Sequence, residues 1–264
     1  MLGTGRPPVL LWIVVALVLT YLVAPSVIVV VMSFSGGLFL EFPPRVVSLR
    51  WHETYWASQA WRDATLRSVK IGILVTVLAT AVGTMASLAL LRPAFPGRSL
   101  LNALILSPVI VPTIVLSIGI YSVYARWRLI GTTVGLVLAH TLLALPFVVL
   151  NVSAVLLKLD RALDRAARIH GAGPLYAFRR VTLPLIWPGM ATGAILAFLT
   201  SFDEIVIAMF VSGGDPTLPK LMFDGIRYEL NPVVAAVSSQ LILITSLALL
   251  CSAWLRRRAE RLGG

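Results

Sequence analysis

Six long apolar stretches organise this chain, at about 9–33, 69–91, 100–123, 133–156, 189–212 and 233–255. Each is near the roughly 20 residues that a helix needs to cross a hydrocarbon core of about 30 Å. Inside lipid the backbone must satisfy its own hydrogen bonds, so these stretches predict helices; strands would need an alternating pattern, which is absent. The rest of the composition agrees. With 58% hydrophobic residues and a mean hydropathy of +0.93, a soluble fold of 264 residues would lack the polar surface to cover itself. Only 12% of residues are charged, about half the usual share. The expectation is an all-α integral membrane protein of six transmembrane helices, forming a single domain over 1–264.

The net charge of +11 suggests nucleic acid only if the basic residues form a patch. They fall instead between the apolar stretches, where they act as topology signals and lipid-headgroup contacts. No nucleic-acid partner is expected. With the N-terminus inside, thirteen Lys and Arg lie on the cytoplasmic side, among them Arg6, Lys158 and Arg256, against nine outside. Both termini and residues 157–188 are therefore assigned to the cytoplasm, and 34–68 and 213–232 to the outside. The first apolar stretch is too long for a cleaved leader and reads as a retained span. Pro25, Pro108, Pro112 and Pro146 lie within spans and predict kinks or freed carbonyls. The outer segment 34–68, with Trp51, Tyr55, Trp56 and Trp61, predicts a short amphipathic stretch at the membrane interface. Cys251 is the one cysteine, so no disulfide or cysteine metal site can form within the chain.

The inner segment 157–188 carries the sharpest pattern. Leu159, Leu163, Ala166, Ala167 and His170 keep helical spacing, and Gly171, Gly173 and Pro174 then break the helix. A second short helix over roughly 174–181 presents Leu175, Phe178 and Val181, and Leu183-Pro184 ends it. Small side chains at 166, 167, 171 and 172 let another protein's surface approach closely, as a knob docking into a partner's groove requires. Gly171 sits where the chain must stop and reverse, a position that favours positive φ.

Ala166, Ala167, Gly171, Val181, Leu183 and Pro184 resemble the loop of permeases of bacterial ATP-binding-cassette importers, which runs Glu-Ala-Ala, three residues, Gly, then Ile/Val-x-Leu-Pro. Arg165 stands at the usual Glu position, with Asp164 one residue earlier; this departure implies a rewired partner contact or a complementary acid on the partner. The stretches 138–146 and 201–207, and later Leu218-Pro219, Asn231-Pro232 and their neighbours, are similar to the spermidine/putrescine branch. The resemblance implies a five-helix core and a pore made with a second permease, more readily a different chain than a copy. It also implies ATP-binding-cassette ATPase subunits, an extracytoplasmic binding protein and the bacterial inner membrane. It places Asp164, Arg165, Ala166, Ala167, Gly171, Ala172, Phe178, Leu183 and Pro184 in an ATPase-coupling loop. Relatives with such motifs also import other small solutes.

The chain has no Gly-Lys pair: its lysines follow Val69, Leu157 and Pro219. It cannot build the phosphate-binding loop that needs one. Energy is expected from a partner, with no catalytic residue, metal or cofactor of its own. An intramembrane protease would need paired aspartates or a histidine with a nucleophile or metal. His140 is the one membrane histidine, better suited to a helix–helix hydrogen bond, and Asp203 the one membrane aspartate. An ion-coupled secondary transporter would use Asp203 and Glu204, but leaves the loop unexplained. Those two acids, on neighbouring helix positions about 100° apart, cannot both face one way unless the helix is distorted. Asp203 lies roughly 21 Å along the helix from Gly189, beyond the midplane toward the outer face. Two roles remain open for the pair: a cation-attracting pore site for an amine, or a structural pair holding helices together.

Overall fold

The computed structural model describes residues 9–91, 96–159, 162–229 and 231–262, and among them it is helical with no extended strand. The chain forms two compact units, Met1–Arg62 with Met222–Gly264, and Asp63–Leu221.

In the first unit, α1 (Val9–Met32) has no buried residue along its length, as an apolar helix that faces lipid over most of its surface would. It packs against α12 (Val233–Leu262), as does the short α2 (Arg50–Ala57). Between α1 and α2 the chain doubles back: Gly36 N–H donates to Val46 O at 2.8 Å and Ser48 N–H to Phe34 O at 2.8 Å. The four aromatic residues of this segment differ in exposure. Trp51, Tyr55 and Trp61 are buried, Trp51 Nε1 donates to Gly37 O at 3.1 Å, and only Trp56 remains outside. An indole buried on its apolar ring needs one acceptor, and the turn carbonyl supplies it.

The second unit is built on α6 (Thr133–Leu156), which is buried along much of its length. Against it lies α9 (Leu183–Phe202), through Gly189, Gly193, Ala197 and Ser201. That four-residue spacing of small side chains lets two membrane helices approach closely. A Cβ on Gly193 would stand 2.9 Å from Val148 Cα. The long α3 (Gln59–Leu90) brings Ile71, Val75 and Ala79 to the same core, which Leu136, Val148, Ile186 and Ile207 complete.

Two apolar stretches are not single straight spans. The third divides into α4 (Arg98–Ile110) and α5 (Thr113–Trp127), bent by 112°. Val111 and Pro112 are extended at the corner, because a proline ring disfavours helical backbone in the residue before it. The fifth stops at Phe202 and resumes as α10 (Val206–Val211). Among the described residues four helices are long and apolar enough to cross a membrane, or five with the bent pair. A sixth crossing would fall to α12, whose described apolar part is Val233–Leu247. The remaining helices, α7 (Ala162–Ile169), α8 (Pro174–Ala177) and α11 (Leu218–Asp224), are short.

Candidate functional site: a glycine-turned loop and a helix break

The inner loop folds as two helices around a glycine hinge. α7 ends in a left-handed turn: Gly171 has φ +85° and Ala172 N–H donates to Ala167 O at 3.1 Å. This bond six residues around the turn satisfies a carbonyl that the helix end would otherwise leave open. Nothing lies within 4 Å of where a Gly171 Cβ would point. Ala166 is exposed, and Ala167 and Ala172 are half-buried. Asp164 and Arg165 belong to α7 by backbone, but their side chains lie outside the described residues.

The second helix does not end at Leu183-Pro184. It runs helically from Pro174 to Phe202 over 29 residues, through a wider π turn at Phe178–Thr182. Pro184 has no N–H to give back, and its ring would crowd the carbonyl of Arg180 in a regular helix. Leu183 N–H instead reaches back five residues to Phe178 O, which opens the turn. Phe178 and Leu183 are half-buried and line an open groove of about 520 Å³ with Thr80, Thr84 and Met190, while Pro184 is exposed. Elsewhere on the loop, Leu163, Ile169, Leu175 and Tyr176 are exposed, and the Arg180 guanidinium lies 6.0 Å from the Tyr176 ring centre. Large apolar side chains thus stand exposed beside arginines on this loop.

At the far end of α9 the two acids part company. Glu204 is 8% exposed and turns onto the next helix: Oε1 accepts from Val206 N–H at 3.0 Å and Oε2 from Ala208 N–H at 3.2 Å. It thereby caps α10, satisfying donors that a helix start leaves open. Asp203, whose own N–H donates to Leu199 O at 3.0 Å, is exposed. The two acids do not face one way, as expected of neighbouring helix positions, and the break lets Glu204 turn back onto α10. His140 of α6 shares a 3.0 Å hydrogen bond through Nδ1 with Ser201 Oγ, and its Nε2 lies 3.8 Å from Glu204 Oε2. Sequence reasoning gave His140 a helix–helix bond but did not find Ser201. The available signal was the small-residue spacing Gly189, Gly193, Ala197, Ser201, which puts Ser201 on the face that meets α6.

A second connection across this unit was not read from sequence. Arg67 of α3 hydrogen-bonds Asp215 O, stands 3.2 Å from its carboxylate, and donates to Gly131 O at 3.4 Å. Ser68 Oγ accepts from Leu218 N–H at 2.7 Å. Gly131 and Gly213, both at positive φ, pack backbone to backbone, where a Cβ on Gly213 would stand 2.8 Å from Gly131 Cα.

Comparison with known proteins places this architecture. The chain is 30% identical to the putrescine transport system permease protein PotI of Escherichia coli strain K12, over 95% of this chain and 92% of that one. It is 30% identical to the spermidine/putrescine transport system permease protein PotC of Haemophilus influenzae, over 88% and 90%. The trehalose transport system permease protein SugB of Mycobacterium tuberculosis is 32% identical over a shorter region, 63% of this chain and 61% of that one. A subunit in the crystal structure of a bacterial ABC transporter involved in the import of the acidic polysaccharide alginate has the same fold, with a TM-score of 0.75. That match covers 96% of this chain and 99% of the other at 16% identity. Residues 79–262 match the family described as binding-protein-dependent transport system inner membrane component. On the sequence and the fold together, the chain is a member of that family: a membrane-embedded permease subunit of an ABC importer.

Proposed function

We propose that this chain forms half of the translocation pore of an ATP-driven importer for a small cationic amine of the putrescine and spermidine class. The observation that carries the reading is the arrangement along α9. A loop with an exposed apolar and basic face stands at one end and an exposed carboxylate, Asp203, at the other, joined by unbroken helix. From Leu183 to Phe202 that helix spans about 30 Å, the thickness of a hydrocarbon core. A push on the loop is therefore delivered to the break as a rigid-body movement.

The partners follow from the roles the chain leaves empty. The loop, with Asp164, Arg165, Ala166, Ala167, Gly171, Ala172, Phe178, Leu183 and Pro184, docks an ATP-binding-cassette ATPase, which supplies the hydrolysis this chain has no phosphate loop to perform. A second permease, a different chain, completes the pore, and an extracytoplasmic binding protein delivers the solute. Both termini and the loop face the cytoplasm, and the whole chain serves as one permease domain. Charge at depth in a membrane costs about 2.5–3.5 kcal/mol on insertion scales, so Asp203 faces the pore rather than lipid. There it attracts an ammonium group transiently. Glu204, engaged by the α10 backbone, is structural.

Proteoliposomes containing the complete transporter, with ATP enclosed and binding protein outside, test this reading. Labelled putrescine enters only when ATP is present and is indifferent to collapse of the proton gradient. Entry of trehalose instead of putrescine would move the chain to a sugar importer, and entry driven by an ion gradient without ATP would overturn the reading.

A further inference from the structure

His140 is buried in α6, 1% exposed, and no step of transport described above uses it. It reaches both sides of the helix break, with Nδ1 bonded to Ser201 in the last turn of α9 and Nε2 3.8 Å from the Glu204 carboxylate that starts α10. Nε2 has no hydrogen-bond partner. When the Ser201 hydroxyl donates to Nδ1, the ring proton sits on Nε2, on the side of the carboxylate. Between these two held residues are only Phe202 and Asp203. Phe202 is itself fixed, stacked on Phe198 with ring centres 5.6 Å apart. Asp203 is therefore the one free side chain in a bracket of four.

We propose that His140 is the positioning residue for Asp203: from α6 it holds Ser201 on one side of the break and faces Glu204 on the other, and so fixes where the exposed carboxylate stands. The proposal rests on the reading of Asp203 as the pore acid. Leucine would pack into the same core without leaving a buried ring nitrogen unpaired, so the polar side chain answers a need at the break rather than in the packing. An imidazole also offers two separated nitrogens, enough to address two residues three positions apart across a distorted turn.

The test follows residue 203 directly. In the complete transporter with Cys251→Ala, Asp203→Cys is introduced and its rate of modification by a water-soluble cationic thiosulfonate is measured. Ser201→Ala or His140→Leu added to that background shifts the rate tenfold or more. His140→Asn, whose shorter amide still reaches Ser201, brings it back to within threefold. With Asp203 intact, His140→Leu lowers maximal uptake at least tenfold while the concentration for half-maximal uptake, set at the binding protein, is unchanged. Equal modification rates in all variants would overturn the proposal. So would failure of both Ser201→Ala and His140→Asn to assemble, because the pair would then serve the fold alone. If Asp203→Asn transports normally while the modification rates still shift, the positioning role stands and the pore-acid reading falls.

Discussion

Asp203 and Glu204 are adjacent carboxylates with opposite surroundings, one exposed and one 8% exposed and spent on two backbone N–H groups. Their substitutions should separate accordingly. Asp203→Asn keeps the shape and removes the charge, so uptake falls at least tenfold while assembly and basal ATP hydrolysis persist; a transport assay beside an ATPase assay checks both. Glu204→Ala removes a helix cap worth about 1 kcal/mol and leaves buried donors unmet at further cost, so it lowers the yield of folded protein seen by size-exclusion chromatography in detergent. Gly171 answers to a different constraint. At φ +85° any side chain costs about 1–2 kcal/mol, yet the space beyond is open. Gly171→Ala therefore weakens the loop modestly, whereas a long charged side chain would stand in the path of the proposed ATPase. The glycine was legible in sequence because the loop had to reverse there. Which of the two acids is held and which stays exposed was not, since it depends on where α9 stops.

At the scale of elements, the tightest constraint is the seam between α6 and α9. Gly193 has Val148 Cα at 2.9 Å from a would-be Cβ, and Gly189 has Asn151 O at 2.9 Å, both backbone atoms that cannot rotate away. Gly193→Leu overpacks the seam and costs about 1–3 kcal/mol or more, which a thermal-unfolding midpoint in detergent reads as a clear drop. Gly119, with nothing within 4 Å, tolerates the same change. Apolar runs and their helical type were readable because lipid leaves the backbone no alternative. The corner at Val111–Pro112 was foreshadowed by proline, but a proline does not say whether it bends a helix or ends it. Pro146 lies inside α6, which continues past it, while Pro112 lies in the 112° break between α4 and α5. Pro184, read as a stop, is passed by a π turn, because a wider turn can release one carbonyl without ending the helix. Capping by Glu204 escaped detection for a related reason: the N–H groups of Val206 and Ala208 are left without intrahelical acceptors only once the helix has broken and restarted.

For the whole molecule, the proposed topology puts the loop and both termini in the cytoplasm, on the side that collects the larger share of basic residues. Sequence would choose Ser35 and Ala177 as labelling sites for the two sides, but they are 1% and 0% exposed. Val46 and Leu175 are exposed and suit the test. In intact cells with Cys251→Ala, an impermeant maleimide labels Val46→Cys, and labels Leu175→Cys only after the membrane is opened; the reverse pattern inverts the topology. Topology, docking and transport meet at one place, the loop around Gly171, where the ATPase is proposed to seat. Native mass spectrometry of the complex drawn from membranes through this chain measures it directly. The native sequence should yield two ATPase subunits with this chain and a second permease, and Gly171→Glu should yield the permease pair stripped of ATPase. A native complex without any ATPase, or a Gly171→Glu complex that keeps both ATPases and transports normally, would contradict it.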